Sequence, residues 1–374
     1  MLDGTSLNCE TLLEAAARHV EVRIAELCRE RIHDGRALVE QIVARGTPAY
    51  GITTGVGSQK DFAIPYDEMA AYNRRLARAH SSHAGGDVLP GHRVRAALII
   101  MANQFSTGLT GASVALVDLI LNQVNKAQMP DILAHGTLSA SDLIPMAQIA
   151  DWLQSQPAAE VECIPGPKET LSLINNNAMT LASGAEVLME ARAVLDLANL
   201  SLALALEASR ANLNAISQQV NKAHRRNGQA AVSCRLRQLL HDSQLWEDGA
   251  ARRIQDPLSF RCGVQVNGAL QEMLERAVSV WDDELNSVTD NPIMDREHKC
   301  ARSHGNMDTT RMTLAIDGLR QALAKAVDIA GERIHKLQWT EFSGLPTGFS
   351  NHDSPLGGCS FSILGTWPPP SLHQ

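Results

Sequence analysis

Aromatic residues make up only 4% of the 374-residue chain, whereas hydrophobic residues of all kinds make up 44%. The core must therefore consist mainly of alanine, leucine, valine and isoleucine. This composition favours helices over aromatic-rich β-sandwiches, because unbranched aliphatic side chains lose little rotamer freedom in a helix. The alternation of polar and apolar residues that is typical of strands is also nearly absent. We therefore predict an all-α fold.

The chain also lacks patterns that mark several other protein classes. Its seven cysteines are scattered and show no CxxC spacing, which is typical of free thiols in a reduced cytoplasm. No apolar run reaches the roughly 20 residues of a membrane span, and we expect no signal peptide. The net charge is −8 and no basic stripe occurs. We therefore predict a cytoplasmic protein that binds neither membranes nor nucleic acid.

Apolar residues recur at spacings of three and four along most of the chain, which is the period of an α-helix. The pattern predicts helices over residues 10–31, 35–45, 66–80, 91–108, 112–127, 182–210, 267–285 and 312–339. The range 182–210 is apolar on nearly every side, which predicts burial at the centre of a bundle. We predict a mixed helix and loop region over 1–165, a central bundle over 166–345 and a short tail over 346–374.

A glycine-rich segment, Tyr50-Gly-Ile-Thr-Thr-Gly-Val-Gly57, interrupts the helices. Three glycines in so short a stretch predict a loop. It is not a phosphate-binding loop, because no Gly-Lys-Ser/Thr follows it and no strand precedes it. One interpretation is a plain tight turn. The other is a mobile loop that presents the Tyr50 phenol to a pocket, where a tyrosine can act as a general base.

Three further polar segments have both a structural and a functional interpretation. His80 and His83 could hold a metal, although no third ligand is evident, or His80 could form a hydrogen bond beside a pocket. Asn175-Asn176-Asn177 could cap a helix or direct a buried amide at a ligand. Arg261 lies among apolar neighbours and needs an anion. That anion could be a substrate carboxylate or an Asp or Glu of the chain.

Together and in this order, these segments resemble the aromatic amino acid ammonia-lyase family, which includes histidine and phenylalanine ammonia-lyases and aminomutases. The Tyr50 loop is similar to the family's Tyr-Gly-Val-Thr-Thr-Gly-Phe-Gly. Residues 76–80 are similar to Asn-Leu-x-x-Ser-His, 168–175 to Lys-Glu-Gly-Leu-Ala-Leu-Ile-Asn and 255–262 to Gln-Asp-x-Tyr-Ser-x-Arg-Cys. Thr289-Asp-Asn-Pro292 and Gly305-Asn306 complete the match.

The resemblance implies a helical fold similar to that of ammonia-lyases and fumarases, and a homotetramer whose active sites are shared between subunits. It implies that no external cofactor is needed, because an Ala-Ser-Gly triplet of the family cyclises to an electrophilic methylidene-imidazolone. The tyrosine matched by Tyr50 removes the β-proton, and the arginine matched by Arg261 holds the substrate carboxylate. The residues matched by Asn175 and Gln255 line the site, and His80 is expected to bind substrate.

The chain departs from the family pattern at the triplet itself. Here the segment reads Ala140-Ser141-Asp142, so the cyclising glycine is missing. Glycine permits the compressed backbone that ring closure demands, whereas Asp142 has a Cβ and a charge. We therefore predict that this segment remains an open peptide. Two substrate-site positions also differ: Leu258 replaces a tyrosine, and Met307 is the first residue of a pair that replaces an aromatic residue and a histidine.

These observations predict a protein that acts on or binds an amino acid or its derivative, in the manner of an ammonia-lyase or aminomutase. Three alternatives remain open. The chain could form an unusual prosthetic group from Ala140-Ser141-Asp142, or use the Tyr50 base for another reaction, or be a non-catalytic homologue. We also predict that Tyr50, His80, Asn175 and Arg261 converge on one pocket.

Overall fold

The computed structural model describes residues 1–18, 20–82, 85–135, 140–156, 165–224 and 226–349, and within these ranges it is mainly α-helical. The all-α prediction is confirmed. The helices are Cys9–Ala17 (α1), Glu26–Ala44 (α2), Met69–Ser81 (α3), Gly91–Phe105 (α4), Val114–Asn125 (α5), Leu143–Gln154 (α6), Glu169–Ile174 (α7), Ala178–Ala208 (α8), Gln218–Ala223 (α9), Asn227–Leu239 (α10), Leu258–Arg261 (α11), Gly263–Leu285 (α12), Thr310–Leu337 (α13) and Thr340–Ser343 (α14).

Four short strands form two antiparallel pairs within the described residues. Gly85–Val88 (β1) pairs with Leu133–His135 (β2), and Ile293–Asp295 (β3) pairs with Cys300–Arg302 (β4). The second pair is a hairpin that lies close to the candidate site. In the described part of the chain, no helix is both long and apolar enough to cross a membrane.

The prediction of one helix over residues 10–31 is wrong, because α1 ends at Ala17 and residues 20–25 before α2 are not helical. Val22 donates its backbone N–H to the Asn125 side chain at 2.8 Å, and Leu2 donates its own to the Arg23 carbonyl. These tertiary hydrogen bonds replace the intrahelical ones, so the apolar residues at 20–24 belong to a connection. The segment predicted as a separate helix over 35–45 is instead the second half of α2.

Gly35 lies inside α2 although glycine weakens helices. A Cβ at Gly35 would lie 2.0 Å from the Gly108 carbonyl oxygen. The glycine therefore permits a backbone approach that no other residue allows. Helix α2 continues through it because this packing outweighs the loss of helix propensity.

The chain divides into two compact units. The first comprises Met1–Met189 and Val278–Arg311, and the second comprises Glu190–Ala277 and Met312–Gln374, of which 350–374 lie outside the described residues. The predicted regions 1–165, 166–345 and 346–374 divide the chain differently and stay a prediction. In the first unit, one hydrophobic cluster joins α2 to the segment after it and to β3, through Leu38, Val39, Ile42, Ile52 and Met294.

The second unit has its own core. It is a buried cluster that includes Leu202, Leu236 and Phe260, each at most 1% exposed, and Phe260 packs on Phe342 with ring centroids 5.3 Å apart. The side chain of Asn267 on α12 donates to Asn199 on α8 at 2.9 Å, which ties these helices together within the unit.

Only one side of α8 is buried in this chain by itself. Leu195, Leu202 and Leu206 are buried, whereas Leu197 and Leu204 are more than 60% exposed. The prediction of burial on nearly every side therefore does not hold for the isolated chain, because the other elements of the unit cover one face of α8.

Candidate functional site

The loop that carries Tyr50 follows α2 and is held by its own threonines. The Thr53 hydroxyl accepts the Ala49 N–H and donates to the Thr47 carbonyl, each at 2.8 Å. Gly51 has φ +63°, and a Cβ there would lie 2.2 Å from the Leu171 side chain of α7. The glycine thus lets the loop press against α7, the helix that leads to Asn175.

Two adjacent amides of this loop bind two tyrosine oxygens. Val56 donates its N–H to the Tyr72 hydroxyl and Gly57 donates its own to the Tyr50 hydroxyl, each at 3.1 Å. Burial raises the pKa of Tyr72 above its usual range, with a smaller opposing effect from the Val56 N–H. Tyr72 is therefore a neutral phenol near pH 7 that fixes the loop. Sequence reasoning missed Tyr72, because only the fold brings α3 to the loop.

His80 lies in the last turn of α3. Its Nδ1 lies 2.9 Å from the Leu76 carbonyl oxygen and must donate to it, since a carbonyl cannot donate. In the neutral ring, Nε2 then carries the lone pair. His83, the other half of the His-x-x-His pair, lies outside the described residues. Within the described ranges, no group of three or more His, Cys, Asp or Glu side chains is arranged to hold a metal.

The asparagine run includes the predicted helix cap, whereas the predicted contact of a buried amide with a ligand stays a prediction. Asn176 is buried and its side-chain amide donates to the Ser172 and Leu173 carbonyls, which caps the end of α7. Asn175 accepts a hydrogen bond from the Ser141 hydroxyl at 3.0 Å and donates to the Asn291 carbonyl at 3.4 Å. Ser141, Asn175 and Asn291 therefore meet at one place in the first unit.

The Ala140-Ser141-Asp142 segment has a distinctive backbone. Ala140 is exposed and Ser141 is buried with φ +68°, a left-handed conformation that glycine adopts far more readily than serine. Asp142 is also buried, and its N–H donates to the Asn176 carbonyl at 2.8 Å.

The Asp142 carboxylate is bound to the beginning of α8. Its two oxygens accept the backbone N–H and the hydroxyl of Thr180, at 2.7 and 2.6 Å. Burial raises the pKa of Asp142 above its usual range, and the Thr180 bonds oppose that rise. Because Thr180 is in the first turn, Asp142 satisfies a helix N–H that has no partner within α8.

A buried ion pair joins Lys168, at the beginning of α7, to Asp290. The Lys168 ammonium contacts the Asp290 carboxylate and the Ser172 hydroxyl, and neither ionised side chain is more than 2% exposed. Burial lowers the pKa of Lys168 and raises that of Asp290. Lys168 also has φ +70°. Both residues occur in the family-like motifs, but their pairing across 122 positions was not predicted.

A cavity of about 290 Å³ opens beside Tyr50. One wall is the segment from Arg45 to Tyr50, and the other is Pro292 with the turn and second strand of the β3–β4 hairpin, including Lys299 and Cys300. Pro292 directly follows Asn291, which binds Asn175. Tyr50 and the Ser141–Asn175 contact therefore lie on connected parts of the first unit.

Two predicted residues belong to the second unit. Gln255 is exposed, and Arg261 is half-buried with its Nε donating to the Asp256 carbonyl at 2.8 Å. Arg261 has no ion pair with any described carboxylate. Its convergence with Tyr50, His80 and Asn175 stays a prediction. Leu258 is 63% exposed. Met307 belongs to the first unit, where it follows β4 and precedes α13 along the chain, and it is half-buried.

Comparison with known proteins identifies the family. The family model described as aromatic amino acid lyase matches residues 7–363. A histidine ammonia-lyase of Caldanaerobacter subterraneus subsp. tengcongensis is 30% identical over 364 residues, which cover 92% of this chain and 72% of that protein.

Two solved structures have the same fold over 98% of this chain. The ergothioneine-degrading enzyme ergothionase of Treponema denticola, solved with desmethyl-ergothioneine sulfonic acid, superposes with a TM-score of 0.89 at 25% identity and is covered to 76%. Histidine ammonia-lyase of Trypanosoma cruzi gives 0.82 at 27% identity and is covered to 72%. With its helical fold and the family-like motifs in place, the chain belongs to the aromatic amino acid lyase family.

Proposed function

We propose that this protein is a carbon–nitrogen lyase that acts on an amino acid derivative. Family membership supports the reaction class, and the placement of Tyr50 and of the Ser141–Asn175 contact on connected parts of the first unit supports a site. In this proposal Tyr50 removes the β-proton and Arg261 binds the carboxylate. His80, Asn175, Gln255 and Met307 contact the remainder of the substrate.

The Ala140-Ser141-Asp142 segment does not fit a methylidene-imidazolone. Ring closure would require the Asp142 nitrogen to attack the Ala140 carbonyl, but that N–H donates to Asn176 while the carboxylate is bound to Thr180. Cyclisation would break contacts of two buried groups, and leaving such groups unpaired costs about 1–3 kcal/mol each. We infer that Asp142 acts as a cap for α8 and that the segment stays open.

The intact mass of the purified protein tests this inference. We expect the mass of the unmodified polypeptide, and an unmodified tryptic peptide containing residues 140–142. Ring formation removes two waters from the triplet. A peptide lighter by two waters at this position, together with near-ultraviolet absorbance of the native protein, would contradict the inference.

Without this electrophile, only a substrate whose nitrogen is already a good leaving group can react. A primary ammonium group can lose its proton to the base, and the free amine is then a poor leaving group. A nitrogen that bears three alkyl groups in addition to the α-carbon has no N–H to lose. The base takes the β-proton, the C–H pair becomes the C=C bond, and the nitrogen leaves with the C–N pair as a neutral tertiary amine. We therefore propose a quaternary amino acid derivative as substrate.

A substrate panel tests the proposed function. Histidine, phenylalanine and tyrosine would be incubated beside their N-trimethyl derivatives, with ergothioneine included because of the Treponema denticola neighbour. We expect trimethylamine and an unsaturated acid from at least one quaternary compound, and no ammonia from the parent amino acids. Ammonia release would contradict the substrate class. No reaction with any compound would favour the alternatives, another Tyr50-dependent reaction or a non-catalytic homologue.

We also propose a homotetramer. The exposed apolar side chains of α8, among them Val194, Leu197 and Leu204, support an interface with copies of the chain. Static light scattering at micromolar concentration is expected to give about four times the 40.4 kDa of one chain. The double substitution Leu197→Lys with Leu204→Lys is expected to reduce that mass. A well-behaved monomer of the unmodified chain would contradict the proposal.

A further inference from the structure

The charged residues found in the lining of the cavity beside Tyr50 are positive. Among the described residues that line it, Arg45 and Lys299 are the charged ones, both are positive, and none is a carboxylate. Neither side chain forms an ion pair with a described residue. By contrast, the neighbouring cation Arg302 is paired with Asp295, as is His298. The cavity therefore presents two unpaired positive charges beside a phenol.

The remainder of the lining is largely apolar. Ile42, Pro48 and Pro292 form part of the wall, and the Tyr50 ring adds an aromatic face. A volume of about 290 Å³ is at the lower end of the range for small-molecule sites. The cavity can thus hold a compact ligand with an apolar or aromatic body.

The backbone fixes the position of one cation. Lys299 lies in the turn between β3 and β4 with φ +53°, which is uncommon for a residue with a side chain. The hairpin is held by three pairs of residues and by hydrogen bonds from His298 and Arg302 to Asp295. Lys299 is therefore presented from a constrained turn, while Arg45 extends from the end of α2.

We propose that this cavity binds a small monocarboxylate that has no ammonium group. Two cations attract a carboxylate, and an ammonium group would find no carboxylate partner among the described lining residues. The cavity therefore selects an acid over the corresponding zwitterionic amino acid. In the proposed lyase reaction, the unsaturated acid product has this chemistry, so the cavity would be a product site. That role rests on the proposed function, whereas the binding itself does not.

Calorimetric titration with trans-cinnamate tests the proposal on the full-length protein. Cinnamamide, which has the same body without the charge, and phenylalanine serve as comparison ligands. We expect cinnamate to bind at least about tenfold more tightly than either of them, since hydrogen bonds to charged groups are the stronger ones. Equal affinity for cinnamate and cinnamamide would overturn the proposal, as would absence of cinnamate binding.

Substitutions identify this cavity as the place of binding. Lys299→Asn removes the charge and suits the left-handed backbone, and Arg45→Gln removes the second charge. Each is expected to weaken cinnamate binding about tenfold, because each removes one charge-assisted contact. Lys60→Gln is the matched control, since Lys60 is exposed, paired with Asp61 and outside the lining. Unchanged affinity in both cavity variants would overturn the proposal.

Thiol labelling separates this cavity from the Arg261 region. Cys300 lines the cavity, whereas Cys262 follows Arg261, and both are half-buried. Peptide-resolved labelling with N-ethylmaleimide is expected to show that cinnamate slows modification of Cys300 and not of Cys262. Slower modification of Cys262 alone would overturn the assignment. If Cys300 does not react with N-ethylmaleimide at all, the cinnamate affinity of Lys299→Asn, measured by calorimetry, decides the assignment. Loss of cinnamate binding in a protein that releases amine would refute the site and leave the proposed function intact.

Discussion

Tyr50→Phe is expected to lower kcat by about 10²–10⁴-fold, the usual contribution of a general base, while KM changes little. The substitution removes only the hydroxyl and preserves the ring that packs beside the cavity. The Gly57 N–H loses its acceptor, but it can donate to water instead, because Gly57 is exposed. The loss should therefore appear in the chemical step rather than in substrate binding.

Tyr66→Phe is the matched control for this experiment. Tyr66 is 79% exposed and belongs to the same region of the chain, so the loss of its hydroxyl should leave kcat within about twofold, as for most exposed substitutions. The assay follows release of tertiary amine from the quaternary compound that reacts in the substrate panel. If Tyr50→Phe retained full turnover, Tyr50 would not be the base and the mechanism would need another proton acceptor.

Lys168→Met is expected to lower the free energy of unfolding by about 3–5 kcal/mol, because it leaves the Asp290 carboxylate buried without a cation. Asp290 is 2% exposed and has only Lys168 as a cationic contact within hydrogen-bonding distance among the described residues. The thioether chain of methionine fills similar space, so the lost charge rather than a cavity causes the change. Urea unfolding at one fixed protein concentration measures the effect.

A second substitution separates the effect of the unpaired charge on stability from the effect of altered packing. With Lys168→Met in place, Asp290→Asn removes the unpaired carboxylate and is expected to restore part of the lost stability. Lys325→Met is the control, since Lys325 is an exposed lysine that pairs with Asp328 at 3.2 Å and should change stability by less than about 1 kcal/mol. If Lys168→Met resembled Lys325→Met, the buried pair would have no stabilising role.

The long helices could be predicted from spacing because each is determined mainly by local sequence. The predicted ranges 182–210, 267–285 and 312–339 compare with Ala178–Ala208, Gly263–Leu285 and Thr310–Leu337 in the structure. The range 10–31 failed because Asn125, about a hundred residues away, binds the backbone at Val22. No periodicity within the segment itself carries that information.

The candidate site likewise contains residues that could be predicted from the sequence and contacts that could not. Tyr50, Asn175 and Ser141 could be selected from motifs, since the residue types and their order are visible in the sequence. The Lys168–Asp290 pair, the Tyr72 contact with Val56 and the cationic cavity could not be predicted. Each depends on two segments that meet only after folding, and composition does not show which lysine or arginine will lack an acidic partner.

The Asp142 cap has a consequence for the history of this protein. Inserting one glycine codon between Ser141 and Asp142 would restore the family-like triplet in the sequence. The same insertion would add a residue between Ser141, whose hydroxyl donates to Asn175, and Asp142, whose carboxylate caps α8 through Thr180, so the two contacts could not both keep their present geometry. A lineage that restored the triplet by that single mutation would therefore also have to rebuild one of these two contacts, at Asn175 or at the start of α8.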